Sequence, residues 1–398
     1  MQQQEQGWNF TNKSVCARCV DDDALKSVLS AAEDSSQTCD FCGQSPAAPF
    51  DVLLDTFVNG LRNEYRDADE EGVSWDSREG GYQWWGPMWD TYELVAEFSD
   101  VLTGDGLLEA VQEAMNLTIW VEKDFAARRR DVVLSESWDR FCDAVKYETR
   151  YVFWLRKDED AQEMQGAGEV PPALILNEVG RLIERLELLR TLPAGYRFWR
   201  ARAHNPDGIS HIAAELGTAP RERAKQANRM SPAGISMFYG AGDETTAVRE
   251  VALRAQDDWV TLGMFATSKD CTVVDFTGLR PIPSMFDPEW GSMRRFLLFL
   301  HRFRDQLSAP ARSTYEQIDY VPTQIVTEYL LRIFGDGENI DGMLYSSALT
   351  GRVSAVLDVP ADRCVEQAPG WQADTQLRLG LISNSVYTRM LTPDEKNA

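Results

Sequence analysis

Apolar residues recur along this chain with two different periods, and the change of period divides it. From residue 50 to about 165 the spacing is helical. Phe50, Leu53, Leu54, Phe57, Val58 and Leu61 fall on one helical face. Tyr92, Leu94, Val95, Phe98, Val101 and Leu102 start a second stripe, and Leu107, Leu108, Val111 and Met115 continue it after Gly104-Asp-Gly106. Trp138, Phe141, Cys142 and Val145 mark another. These stripes predict a helical bundle over 50–165. The stretch from Trp75 to Trp89, with Tyr82, Trp84 and Trp85, is aromatic-rich and interrupted at Gly80-Gly81 and Gly86-Pro87. Such a cluster is expected to pack a core or a domain interface, with ligand contact as the alternative.

The polar, glycine-containing segment from Asp158 to Pro172 reads as a linker. A helix is predicted from about Leu174 to Leu189. Strand-like runs then alternate with helices. The strands are expected at Tyr196–Ala201, Ile235–Tyr239, Trp259–Ala266, Thr272–Asp275, Met343–Ser346 and Ala355–Val359, and the helices after Asp243, near Ser292–Leu307 and at Thr323–Ile333. The fold class is therefore multidomain, α plus α/β (α+β), with a mixed-sheet domain over 172–398. No internal repeat stands out. No GxGxxG or P-loop is present, so a nucleotide would not be held in the Rossmann manner.

Composition changes this picture in two places. Of 398 residues, 43% are hydrophobic and 26% charged, as in ordinary globular proteins, but the net charge is −23. Such a chain is repelled by phosphate backbones, so nucleic-acid binding is disfavoured, although Arg128-Arg-Arg130 is a local basic patch. The segment Met1-Gln-Gln-Gln-Glu-Gln-Gly-Trp8 lacks the charged and apolar regions of a secretory signal. Apolar runs such as Phe296–Leu300 fall far short of the roughly 20 residues a membrane span needs. A soluble, cytoplasmic protein with no membrane partner is expected.

The second place is the cysteines. Cys16-x-x-Cys19 and Cys39-x-x-Cys42 supply four thiolates for tetrahedral zinc, in a ribbon over about 10–46. All four positions are cysteine, which leaves no open coordination position, so the zinc would be structural. Gly43 suits the tight turn after the second pair. A redox role is disfavoured because no βαβ unit stands beside either pair. The isolated Cys142, Cys271 and Cys364 read as small buried apolar residues, and the odd total of seven suits a reducing compartment.

The most informative stretch runs from Arg229 to Glu250. Ile235-Ser-Met-Phe-Tyr239 has strand composition, Gly240-Ala-Gly242 is expected to break it, and Asp243 or Thr245 can cap the helix that carries Glu250. A cation, an aromatic ring and a carboxylate thus stand on consecutive elements. Cleavage of a nicotinamide–ribose bond needs such a trio: a guanidinium for the pyrophosphate, a ring to pack base or sugar, and an anion beside the developing cationic sugar. The spacing, ten residues from Arg229 to Tyr239 and eleven to Glu250, resembles the RES-domain family. Three further segments resemble its motifs: Tyr196-Arg-Phe-Trp-Arg200-Ala-Arg202, Tyr320-Val-Pro-Thr-Gln324-Ile-Val-Thr-Glu328, and Asp341-Gly-Met-Leu-Tyr345-Ser-Ser347, with Ser346 where proline is usual. They occur in family order across roughly 195–360.

The resemblance implies a fold related to ADP-ribosyltransferases and an enzyme that degrades NAD by hydrolysis or phosphorolysis. Many such proteins are toxins of bacterial toxin–antitoxin pairs, which adds an antitoxin or regulatory protein as an expected partner. It assigns Glu250 to catalysis, where it stabilises the cationic sugar. Arg229 and Arg200 become candidates for the diphosphate, with Arg202 sharing the role, and Tyr239 for the base or ribose. Ser347, in preference to Ser346, would fix the carboxamide or ribose, and Tyr320 and Gln324 would support the site and cap a helix. The ordinary alternative for Glu250 is an i,i+4 pair with Arg254, worth about 0.3–0.5 kcal/mol. The ordinary alternatives for the arginines and Tyr239 are surface ion pairs and core packing.

The N-terminal zinc and helical regions are similar to those preceding some RES domains, where the helical part is HEPN-like. HEPN ribonucleases use an Arg-x(4–6)-His motif, but His204, His211 and His301 all lie beyond the helical region. Arg294 and Arg295 have acceptable spacing to His301 inside the RES segment. A scaffold or sensor role for the helical part is therefore expected. The rival readings are an ADP-ribosyltransferase acting on a protein target and a non-catalytic interaction protein.

Overall fold

The structure, a computed structural model, describes residues 6–78, 80–83, 86–123, 128–156, 170–253, 255–310, 312, 314–335 and 339–396. Trp84, Trp85, Arg254 and all but the last three residues of the expected linker lie outside the described residues. The chain divides into two compact units, Met1–Val133 with Arg280–Phe299, and Leu134–Leu279 with Leu300–Ala398. This division cuts across the domains expected from the sequence, because twenty residues from deep in the C-terminal half join the N-terminal unit.

In the N-terminal unit, β1 (Ser14–Val15) pairs antiparallel with β2 (Ala48–Pro49). Between them the helix Asp23–Ala32 is capped by Asp22, whose carboxylate accepts from the amides of Ala24 and Leu25. The helix Phe50–Glu64 buries the whole apolar stripe that predicts it. Its core includes Phe286 from the inserted segment, stacked on Phe57 with ring centroids 4.9 Å apart. Gly60 makes that contact possible, since a Cβ there would stand 2.3 Å from the Phe286 ring. Arg295 Nε donates to Glu64 at 2.5 Å with both side chains mostly buried, and Asn63 donates to the Met285 carbonyl at 2.8 Å.

The purely helical expectation for 50–165 is corrected here. Strands β3 (Tyr65–Asp67), β6 (Met88–Asp90) and β7 (Ile119–Glu122) form a sheet in the order β3-β7-β6, and β4 (Trp75–Asp76) pairs with β5 (Gly81–Tyr82). Aromatic and β-branched residues favour this state, and Trp89 and Trp120 sit directly opposite each other. The second predicted helix is also shorter. Thr91–Ala96 begins with a capping box between Asp90 and Glu93 and ends before Phe98. Leu107–Ala114 and Arg130–Asp143 are helical as their periodicity predicts.

The second unit is built on a mixed sheet of ten strands among the described residues. They are β8 (Leu189–Leu192), β9 (Arg197–His204), β10 (Phe238–Ala241), β11 (Trp259–Thr267), β12 (Cys271–Asp275), β13 (Gly342–Ser346), β14 (Val353–Leu357), β15 (Cys364–Glu366), β16 (Leu379–Leu381) and β17 (Tyr387–Met390). Their order is β15-β16-β11-β9-β10-β14-β13-β12-β8, with β17 also on β11. The helix predicted from Leu174 to Leu189 spans Ile175–Arg185, and Leu189 already starts β8.

Strand β10 starts three residues later than Ile235 and runs through Gly240, which was expected to end it. The reason is steric. A Cβ on Gly240 would lie 2.8 Å from Phe238 and 2.9 Å from Phe198, so glycine lets β9 and β10 converge. They meet at one register pair, Ala241 opposite Trp199. Beyond it β9 follows β11 over eight pairs and β10 follows β14 over four. The sheet therefore splits between β9 and β10. On one face Ala201 and Ala241 pack against Ala247, Val248 and Ala252 of the helix Glu244–Ala252. On the other, Phe198 and Phe238 pack with Leu216, Ala355 and Leu357.

Candidate active site

The split in the sheet opens into a cavity of about 660 Å³, within the range of small-molecule sites. Of the predicted residues, Arg200, Arg202, Arg229, Tyr239, Glu250 and Tyr320 line it, whereas Ser346, Ser347 and Gln324 do not. The helix Glu244–Ala252 starts where Asp243 accepts from the Thr246 amide at 3.0 Å, and Glu250 follows on its cavity side. The buried hydroxyl of Ser347 donates to Glu250 Oε1 at 2.5 Å and accepts from the Leu349 amide at 3.2 Å. That second bond points the Ser347 O–H at the carboxylate, a charge-assisted contact between residues 97 positions apart. Ser346 is half-buried and points the other way along the strand.

Tyr239 lines the cavity from β10. Its hydroxyl lies 2.9 Å from Ser231 Oγ and accepts from the Met230 amide at 3.3 Å. Burial pushes this phenol up to about 12, so it stays protonated at neutral pH. Arg229 lies over the Tyr320 ring, 5.3 Å from its centroid, and donates to the carbonyls of Leu307, at 3.4 Å, and Ala309. The Tyr320–Gln324 segment fixes this loop by its backbone. Gln324 Nε2 donates to the carbonyls of Asn228 at 2.8 Å and Ser231 at 3.4 Å, and the Thr323 hydroxyl donates to the Arg229 carbonyl. Gln324 thus acts on the loop, while Tyr320 lines the cavity as well. Thr323 was missed as a site residue although it lies inside a quoted motif.

Arg200 and Arg202 project from β9 to the face opposite Glu250, because Trp199 and Ala201 alternate with them. Only the split brings both sets of residues to one cavity. Arg200 Nε donates to the Leu216 carbonyl at 3.1 Å, Nη1 reaches across the split to the Tyr239 carbonyl, and the guanidinium lies 5.2 Å from the Phe238 ring centroid. Burial pushes Arg200 down to about 10, still charged at neutral pH. Arg202 Nη2 donates to the Gly217 carbonyl at 3.1 Å, and its buried Nε has no partner among the described residues. Arg200, Arg202, Arg223, Lys225 and Arg229 line the cavity with Glu250, a local excess of cations in a chain of net charge −23. Tyr345 and Ser354 also line it, and neither was assigned a role from the sequence.

The N-terminal unit holds a separate constellation. Cys16 Sγ is 3.4 Å from Cys42 Sγ and 3.8 Å from Cys19 Sγ, and Cys19 Sγ is 3.6 Å from Cys39 Sγ. All four sulfurs lie within 4.8 Å of one another. A tetrahedral site with zinc–sulfur bonds of about 2.3 Å has sulfurs about 3.8 Å apart, so the cluster could bind such a metal. Gly43 turns at φ +67°, and its amide donates to the Cys39 carbonyl at 2.9 Å. The histidines serve elsewhere: His204 is bonded to the Asn205 carbonyl and Thr261, both at 2.7 Å, and His211 to Thr388 at 2.9 Å.

Two family models match the chain. The model described as HEPN/RES N-terminal domain 1 matches residues 32–159, and the RES domain model matches residues 197–376. No curated protein and no solved structure matches it. Among the described residues no helix is long and apolar enough to cross a membrane.

Proposed function

Because the chain belongs to the RES-domain proteins of HEPN/RES architecture, a family that acts on NAD, we propose that its β9/β10 cavity cleaves the nicotinamide–ribose bond of NAD. The observation that carries the reading is the Ser347–Glu250 hydrogen bond, which fixes the one carboxylate among the described lining residues of a cavity that also holds five cations.

The chemistry follows from the charges. The base of NAD leaves as neutral nicotinamide and takes the electrons of the bond to the anomeric carbon, so no acid need protonate it. Positive charge develops on the sugar, and a fixed carboxylate stabilises it where it forms. Glu250 is that carboxylate, and Ser347 holds it in one orientation. Tyr239, a neutral phenol, packs against base or ribose and hydrogen-bonds the sugar. Arg200, Arg202 and Arg229 offer guanidinium forks to the diphosphate. Water then attacks the anomeric carbon, its proton is lost to Glu250 or solvent, and ADP-ribose is released. Inorganic phosphate as the nucleophile yields the 1-phosphate of ADP-ribose by the same route.

Depletion of NAD harms the cell that makes the enzyme, so this is a toxin or effector restrained by a protein partner. The four cysteines would hold a structural zinc that takes no part in the reaction. The test is to incubate the full-length protein with NAD, with and without phosphate, and to separate products by chromatography beside a Glu250→Gln control. Nicotinamide with ADP-ribose or its phosphate supports the proposal. Transfer of the label from labelled NAD onto protein points to an ADP-ribosyltransferase, and intact NAD rejects the reading.

A further inference from the structure

We infer that Ser354, with Tyr345 beside it, recognises the carboxamide of the leaving base and so selects the amidated dinucleotide over its deamidated, carboxylate counterpart. The inference rests on the NAD reading of the cavity.

Ser354 is 2% exposed and lines the cavity, and its Oγ has no hydrogen-bond partner among the described residues. A buried hydroxyl in a native protein nearly always has a partner, so this one points to a group supplied from outside. Register fixes where that group must lie. Ser354 stands opposite Ala241 on β10 and opposite Tyr345 on β13. Tyr239, opposite Val356, shares that face, while Ala355 and Leu357 point into the core beneath. Ser347, two residues beyond Tyr345 on the same face, carries the bond to Glu250. Ser354 and Tyr345 therefore share the sheet face of Ser347 and its partner Glu250, the carboxylate that on the NAD reading faces the anomeric carbon to which the base is attached.

The other unpartnered cavity groups do not compete for this role. Arg202 Nε belongs to the cationic face that suits phosphates, and Ser236 lies before β10.

A carboxamide offers one acceptor and two donors, which two hydroxyl groups can satisfy. A carboxylate would bring a second negative charge toward Glu250. Tyr345 already senses that charge: burial first, and then the neighbouring Glu250, push its phenol upward, so it remains a neutral donor. Rejection of the charged analogue is thus built in alongside attraction to the neutral one.

The experiment measures base release from NAD and from nicotinic acid adenine dinucleotide by full-length wild type, Ser354→Ala and Tyr345→Phe. Wild type is expected to favour NAD by about 100-fold or more in kcat/KM. Ser354→Ala should lower kcat/KM for NAD about tenfold, mainly through KM, and leave the deamidated substrate within about twofold. A parallel fall on both substrates would make Ser354 merely structural and overturn the inference, as would unchanged kinetics on NAD. If Ser354→Ala does not fold, Tyr345→Phe is expected to narrow the preference, and an unnarrowed preference there overturns the inference. Wild type that cleaves NAD while Ser354→Ala behaves identically defeats this inference alone. Wild type that cleaves neither dinucleotide defeats the NAD reading and this inference together.

Discussion

The cysteine cluster of the N-terminal unit and the cavity of the second unit are sites of opposite construction. The cluster takes four identical ligands from residues 16 to 42, all within 4.8 Å of one another. The cavity takes different groups from residues 199 to 354, carried by strands, loops and a helix on two faces of a split sheet. A closed metal site needs only ligand identity and a short loop. A site for an extended polar substrate needs opposite charges held apart, and separate elements of a sheet supply that separation.

Metal removal is the largest test of the difference. The purified chain is expected to carry about one zinc, and chelation should unfold the N-terminal ribbon, because metal-binding energy is folding energy in such sites. Elemental analysis together with circular dichroism checks both points. Nicotinamide release that survives chelation would sharpen the contrast between the sites, and its loss with the metal would break it.

Next in size is Glu250→Gln, which removes the charge and keeps the shape. Nicotinamide release should fall by about 10²–10³ with no change in thermal unfolding. Ser347→Ala, which only frees the carboxylate to rotate, should cost about tenfold. A folded Glu250→Gln protein working at the wild-type rate would refute the assignment.

Gly240→Ala probes the split itself. The added methyl meets Phe238, Phe198 and the Trp199 carbonyl at 2.8, 2.9 and 3.4 Å. A loss of about 1–3 kcal/mol in denaturant unfolding of the second unit is expected, with impaired activity and an intact cysteine cluster. Full stability would mean the strands can part further at no cost.

The smallest effect is a pH dependence. Burial raises Tyr239 to about 12 and raises Tyr345 as well, whereas an unfolded tyrosine ionises near 10. The folded state therefore holds these protons more tightly. Its full stability is present below about pH 10 and is lost as pH rises through the folded values. Thermal unfolding followed from pH 9 to 12 should fall less steeply in Tyr239→Phe than in wild type.

Several features were legible in the sequence because short-range forces set them. The stripe from Phe50 to Leu61 specifies a helix that is then buried as written, Asp243 caps the helix that delivers Glu250, and the CxxC pairs converge. Periodicity, capping and knuckle spacing all act within a few residues. Motif spacing also singles out Arg229, Tyr239 and Glu250, which line one cavity, and Ser347, which bonds Glu250.

What only the tertiary structure decided depends on pairing between distant segments. Apolar periodicity could not tell that 119–122 is a strand, since a short apolar run suits either state until Met88–Asp90 and Tyr65–Asp67 lie beside it. Nor could it send Phe286 into the N-terminal core, where Gly60 leaves room for its ring. Alternation correctly puts Arg200 and Arg202 on one side of their strand, but not on the face opposite Glu250. The one-pair contact between β9 and β10 joins those faces in a single cavity, and register sets Ser354 beside Tyr345. Strand register is settled by the packing of whole faces against each other, an energy that no local window of sequence contains.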